Sequence, residues 1–250
     1  MVTIYRQDCA NDDLDDLEGQ YGEYSANLRM GFIRRVYGLI LFQILTDIAF
    51  TSIFIYYKPQ IVSFLVKNKL TLSAPLTIMF MTIILHFISY FVPSLLNSYP
   101  TNILFFTAVT ILEALTIAFF CFLVNQRYIL LALVITSVSV IGLTMFAFQT
   151  KHDFTSYYIY IFYGMIALFV FSFIYLFFPT SRIIELIISP IGAIFFSFTL
   201  VSTTQSVIGD RKNVFYEDSY VSAALTIHSQ IINIFIYVLR FIMALNHETR

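Results

Sequence analysis

A chain of 250 residues that is 59% hydrophobic and only 12% charged cannot clothe a water-soluble core, because an ordinary soluble domain carries about 25% charged residues. The net charge of −1 leaves no polybasic surface for nucleic acid. The solvent around most of this chain is therefore lipid; with 17 Tyr and no Trp, Tyr must supply any aromatic belt at the interfaces.

The chain opens on an acidic stretch, with Asp8, Asp12, Asp13, Asp15, Asp16, Glu18 and Glu23 inside the first 23 residues. It is polar and aperiodic, so residues 1–30 are expected to form a disordered, solvated leader. It lacks the apolar core of a cleaved signal peptide, so the first span is expected to stay in the protein and direct insertion. Residues 31–250 then read as one polytopic membrane domain.

A helical span needs about 20 mostly apolar residues. Seven stretches qualify: 36–57, 71–92, 103–124, 128–149, 157–178, 183–206 and 219–243. Short breaks separate them: Lys58-Pro59 with Lys67 and Lys69, Pro93 with Tyr99-Pro100, Asn125-Gln126-Arg127, Lys151-His152-Asp153, Pro179, and Gly209 through Asn213. The runs are too long and too uniformly apolar for the alternating strands of a membrane barrel. The expected fold is an all-α membrane bundle of six to seven transmembrane helices. The seventh segment is polar enough to be either a central C-terminal helix or a re-entrant hairpin. No internal repeat of the transporter kind is visible.

Arg29, Arg34 and Arg35 precede the first span and favour a cytoplasmic N-terminus. Lys151, Arg211 and Lys212 would share that side, and Lys58, Lys67 and Lys69 would oppose it. Seven full crossings put the C-terminus outside, and a re-entrant seventh segment puts it inside.

Ionisable side chains within spans cost about 2.5–3.5 kcal/mol on insertion scales, so each needs a reason. Asp47 and Glu113 lie midway along the first and third spans, too deep to reach water. A carboxylate at that depth rarely serves packing alone, and both are candidates for a proton-linked gate or a cation site. His86 and His228 fit hydrogen-bonded buried imidazoles better than ion handling. Glu185, near the start of the sixth span, and Arg240, near the end of the seventh, are further ion-pathway or pH-sensing candidates, for which an interfacial position and snorkelling to headgroups fit at least as well. Cys9 and Cys121 are too differently placed to pair. There is no phosphate loop, zinc motif, Cys cluster or Asn-x-Ser/Thr site, and no Ser/His or Asp/Asp pair spaced for intramembrane proteolysis. An enzyme and a bound cofactor are not expected.

Five stretches resemble the transmembrane BAX-inhibitor-motif family, and within it the lifeguard and Golgi anti-apoptotic branch. They are Arg34-Arg35-Val36-Tyr37-Gly38-Leu39 with Gln43; Tyr99-Pro100-Thr101-Asn102 leading into Leu112-Glu113-Ala114-Leu115-Thr116; Thr150-Lys151-His152-Asp153-Phe154-Thr155; Glu185-Leu186 with Gly192-Ala193-Ile194-Phe195-Phe196; and Tyr220 through Ile231-Ile232-Asn233 to Leu239-Arg240-Phe241. They occur in family order over roughly residues 29–245. The resemblance implies a multi-pass protein of Golgi or endoplasmic reticulum membranes that lowers stored calcium through a pH-sensitive cation leak and suppresses apoptosis. Calcium would be the permeant ion, and the implied partners are apoptosis regulators or calcium-release channels in the same membrane.

Two departures stand out. The family's Tyr-Asp-Thr near the end of the sixth span is here Ser202-Thr203-Thr204, and its Asp before Ile-Ile-Asn is here Gln230. Those aspartates are the family's proton-sensing pair, and neither Thr nor Gln titrates near neutral pH. Either conduction is lost and the protein acts through membrane partners, or Asp47, Glu113 or His228 has taken over the titrating duty. An unrelated seven-helix receptor or small-solute transporter is the remaining alternative; short loops and the missing repeat count against it.

Overall fold

The computed structural model describes the backbone of residues 2–71, 73–92, 94–177, 181–209 and 215–246, and within these the side chains from Asn27 onward save those of residues 90, 172–177 and 217. Pro93, Pro179, Arg211 and Lys212 lie outside the described residues. Among those described there is no strand. The helices are α1 (Val2–Tyr56), α2 (Lys58–Lys67), α3 (Ser73–Phe91), α4 (Ser94–Asn97), α5 (Thr101–Phe122), α6 (Gln126–Gln149), α7 (Tyr158–Phe177), α8 (Arg182–Ile208) and α9 (Tyr220–Leu245). The seven long ones match the seven apolar stretches to within two residues, save that α1 begins earlier. Its membrane-length part is Asn27–Tyr56. The backbone is helical back to Val2, through the acidic stretch; no Pro precedes Pro59, and extending a formed helix costs far less than starting one.

Local chemistry sets the ends. Pro59 falls in the first turn of α2, where its missing N–H is not needed. The Asn125 side chain caps α6 by accepting from Arg127 N at 3.1 Å, and Ser181 Oγ caps α8 by accepting from Ile184 N at 3.4 Å. Gly209 ends α8 in the left-handed region, at φ +90°. Around it the Arg29 guanidinium takes three carbonyls, Ser206 O at 2.7 Å, Phe215 O at 2.8 Å and Ile208 O at 3.1 Å. At the opposite end of the bundle Arg182 does the same for α9, donating to Ala244 O at 2.7 Å and Leu245 O at 3.2 Å. Cations therefore sit at the negative ends of two helix dipoles.

Side-chain pairings fix the direction of each helix. Phe42 meets Phe106 and Phe54 meets Phe119, so α1 and α5 run parallel. Thr82 meets Thr116 and His86 meets Glu113, so α3 runs against α5. Arg35 lies over Tyr220 and Asp47 bonds His228, so α9 is parallel to α1. The two arginine clasps make α8 antiparallel to α9. The start of α6 packs with Leu239 and Ile242 of α9, while Gln205, near the end of α8, grips the loop after α6, accepting from Phe154 N and donating to His152 O. The long helices thus alternate between an Arg29 end and an Arg182 end.

The re-entrant alternative for the seventh segment does not hold. The 26 residues of α9 form one unbroken helix, about 39 Å long at 1.5 Å per residue. It packs against α1, α5, α6 and α8 and is more buried than the other five membrane-length helices. Its polar residues face protein, which is why a segment carrying His228, Gln230 and Arg240 can run the whole length. The short member is α3, with 19 residues, or about 28 Å against roughly 30 Å of hydrocarbon. Gly192 of α8 makes room for α9: a Cβ there would run into the Tyr237 ring.

Candidate functional site

Residues three and four apart share a helix face. On α1 this places Phe32, Val36, Ile40, Gln43 and Asp47 on one buried stripe. The stripe is apolar up to Ile40 and polar from Gln43, so it delivers Asp47 to the bundle centre at mid-depth. On α5 the buried face runs Phe106, Val109, Thr110, Glu113, Ala114, Ile117 and Cys121. On α9, His228 and Ser229 arrive at the same level.

Four helices meet there in one hydrogen-bonded cluster. His228 is fully buried (0% exposed), with Asp47 at 5% and Glu113 at 6%. Its Nε2 lies 2.7 Å from Asp47 Oδ2 and its Nδ1 3.0 Å from Glu113 Oε2. Ser229 Oγ donates to Glu113 Oε1 at 3.0 Å. His86 of α3 completes the set: Nε2 is 3.1 Å from Glu113 Oε1 and 2.9 Å from Ser229 Oγ, and Nδ1 is 3.0 Å from the Thr82 carbonyl. The His86 side chain is 27% exposed, against 0% for His228 and 7% for Asp47 and Glu113.

Both ring nitrogens of His228 face carboxylate oxygens, which as carboxylates can only accept. A neutral ring has one N–H to give. Either His228 is an imidazolium or one carboxyl carries the second proton, and the same proton serves both arrangements. Uncompensated charge at this depth would be prohibitive, so the cluster persists because each acid has a donor. The chain His86–Glu113–His228–Asp47 is a continuous path of hydrogen-bonded titratable groups across the bundle.

Apolar side chains close this polar layer at both ends. Toward the Arg29 end lie Val36, Ile40, Val109, Val221 and Leu225, and toward the Arg182 end Ile117, Cys121, Phe235 and Leu239. Among the described residues no three His, Cys, Asp or Glu are placed to hold a metal ion. The reason is visible: the His228 ring stands between the two carboxylates.

The remaining candidates lie elsewhere. Gln230 Nε2 donates to Thr203 Oγ1 at 2.8 Å, tying α9 to α8 with a neutral bond. Arg240 pairs with Glu185. Its Nη2 is 3.1 Å and its Nε 3.2 Å from Glu185 Oε2, and its guanidinium lies 5.5 Å from the Tyr237 ring centroid. Glu185, in the first turn of α8, is held by that pair. Sequence reasoning singled out Asp47, Glu113, His86 and His228 separately but did not join them, and it passed over Ser229. Neighbouring His228 and Gln230 on the most polar span was the available signal.

These features define a class: a multi-pass helical membrane protein with a buried acid–imidazole centre among α1, α3, α5 and α9. Residues 29–247 match the model of the family described as Inhibitor of apoptosis-promoting Bax1, and the chain belongs to that family. It is 33% identical to Protein LIFEGUARD 4 of Arabidopsis thaliana over 88% of this chain and 87% of that one. Identity is 28% to Protein lifeguard 4 of Mus musculus (90% and 89% covered) and 29% to Protein lifeguard 3 of Homo sapiens (85% and 68%). Membership sets aside an unrelated receptor or solute transporter.

Proposed function

We propose that this chain is an anti-apoptotic protein of Golgi or endoplasmic reticulum membranes, with a cytoplasmic N-terminus, that lowers stored calcium through a proton-regulated cation leak. The observation that carries the reading is the relay at Asp47, His228, Glu113 and His86. Titratable chemistry is concentrated there, whereas Thr203 and Gln230 have none to offer. Loss of the shared proton would leave two carboxylates around one N–H donor. One acid would lose its partner, and α1 or α5 would be driven from α9 until water reached it. Glu113 touches both histidines and is the residue through which α3, α5 and α9 would respond together.

Calcium release from proteoliposomes, followed across pH, tests this. Asp47→Asn and Glu113→Gln are expected to abolish the pH dependence, and Glu113→Gln to lower the leak itself. A leak with unchanged pH response in both variants would sink the reading. A second reading is favoured by the neutral Thr203–Gln230 bond, which cannot open by titration: the protein does not conduct and acts by binding membrane partners. Expression would then protect cells from apoptosis while leaving store calcium unchanged.

A further inference from the structure

One cationic surface takes no part in the centre of the bundle. It is built on α2, at the Arg182 end. Phe54 of α1 meets Phe119 of α5 at 5.0 Å, and Lys58 lies 5.1 Å from the Phe122 ring, so α2 starts level with the end of α5. The exposed rings of Tyr56 and Tyr57 stand at that level, 4.9 Å apart. In a chain without Trp such a pair marks the edge of the hydrocarbon. The start of α3 lies at nearly the same depth. Thr82 pairs with Thr116 at 3.0 Å, and counting back to Ser73 and forward to Phe122 at 1.5 Å per residue puts those two levels about 5 Å apart. Bonds from Leu70 N to Leu65 O at 2.8 Å and from Ala74 N to Leu70 O at 3.1 Å hold the last turn of α2 against the first turn of α3. Both ends of α2, about 15 Å of helix, are thus near one depth, and α2 lies across the end of the bundle.

Its faces fit that position. Leu65 is buried and Ile61 half-buried against the bundle, whereas Val62, Phe64 and Val66 are 40%, 61% and 60% exposed on its flanks. Gln60, Ser63 and Lys67 occupy the opposite, exposed face. A helix with apolar flanks and a lysine on its polar side suits a headgroup layer. The charge identifies the partner. Lys58, Lys67 and Lys69 are all exposed, and among the described residues no carboxylate pairs with any of them. Glu185, the only carboxylate among those residues at this end, is engaged by Arg240. Lys69 has φ +56°, a conformation that favours glycine, yet the position carries a cation.

We propose that α2 and the turn after it bind the anionic headgroups of phospholipids. Phe64, Val62 and Val66 seat among the first acyl carbons, and Lys58, Lys67 and Lys69 meet the phosphate and carboxylate groups. The proposal is independent of the leak, and it holds for whichever face of the membrane the Arg182 end occupies. Because α3 starts from the same turn, lipid that holds α2 also holds the end of the helix that carries His86.

The test titrates phosphatidylserine, phosphatidylcholine or inorganic phosphate into full-length protein in neutral detergent. It follows the thermal unfolding temperature, which a ligand of the folded state raises. Phosphatidylserine is expected to act at a midpoint at least tenfold below that of phosphatidylcholine, and phosphate to have no effect. A lysine near an anionic surface changes binding about fivefold. Lys67→Gln with Lys69→Gly is therefore expected to raise the phosphatidylserine midpoint at least tenfold and to leave the phosphatidylcholine midpoint unchanged. Should that double variant fail to fold, Lys69→Gly alone, which suits the backbone there, is expected to raise the midpoint about fivefold and decides. A smaller difference between the lipids, a smaller shift in the variant, or stabilisation by phosphate alone overturns the proposal, the last by making the lysines a free-anion site. Indifference to both lipids also overturns it and leaves the exposed flanks to a protein partner.

Discussion

His228 tests the cluster most directly, because it is the one side chain that both deep carboxylates share. His228→Ala leaves two acids at the bundle centre without their common donor. Breaking a buried charge pair in this way costs about 3–5 kcal/mol, so thermal unfolding in detergent should show a large loss. Adding Asp47→Asn and Glu113→Gln to His228→Ala should restore much of it, since the stranded charges are then gone. The Thr203–Gln230 contact provides the contrast. It is a neutral bond, and Gln230 Oε1 is already buried without a partner. The double change Thr203→Val with Gln230→Leu should alter stability by no more than about 1 kcal/mol. Much of this was open to the sequence: carboxylates in uniformly apolar spans mark themselves. Their partners were not, because Asp47 and His228 are 181 positions apart and their bond depends on the rotation of two helices about their axes.

Among the elements, α8 and α9 form the tightest pair, and glycine is what lets them close. The Tyr237 ring occupies the space a Cβ on Gly192 would need, and it is fixed there by stacking on Phe196 at 5.7 Å and by Arg240. Gly192→Ala should therefore overpack the interface by about 1–3 kcal/mol, read as a lower unfolding temperature. Tyr237→Leu in the same chain should recover part of the loss, because it removes the ring that the new methyl meets. A Gly192→Ala protein as stable as wild type would mean that the two helices are farther apart than described. The long helices themselves were legible, since about 20 apolar residues between polar breaks leave few alternatives. The short helices α2 and α4 were not, being too brief to show a period. The course of α9 was also left open, because its polar residues count against burial in lipid and only the arrangement of the other helices shows that they face protein.

For the whole molecule, the alternation of the seven long helices bears on which side each end of the chain should lie. The basic residues do not. Arg34, Arg35 and Lys151 fall at the Arg29 end, with Lys58, Lys67, Lys69 and Arg127 at the other. Arg29 and Arg182 serve as clasps on helix carbonyls and Arg240 as the partner of Glu185. Charges so engaged report packing as much as insertion, and the other described basic residues fall on both sides, so loop charge gives only a weak lean. Helix direction is the stronger argument. Because α1 and α9 run parallel, a bilayer that both helices cross has residues 27 and 246 on opposite faces, and an N-terminus and C-terminus on opposite sides is the expected outcome. With the N-terminus cytoplasmic, an epitope tag there should be digested by protease added to intact microsomes, while a C-terminal tag is protected and a glycosylation acceptor beside it is modified. Both tags digested would mean that an even number of helices crosses. The helix to suspect would be α3, the shortest, and its failure to cross would carry His86 away from Glu113 and uncouple the outer end of the relay.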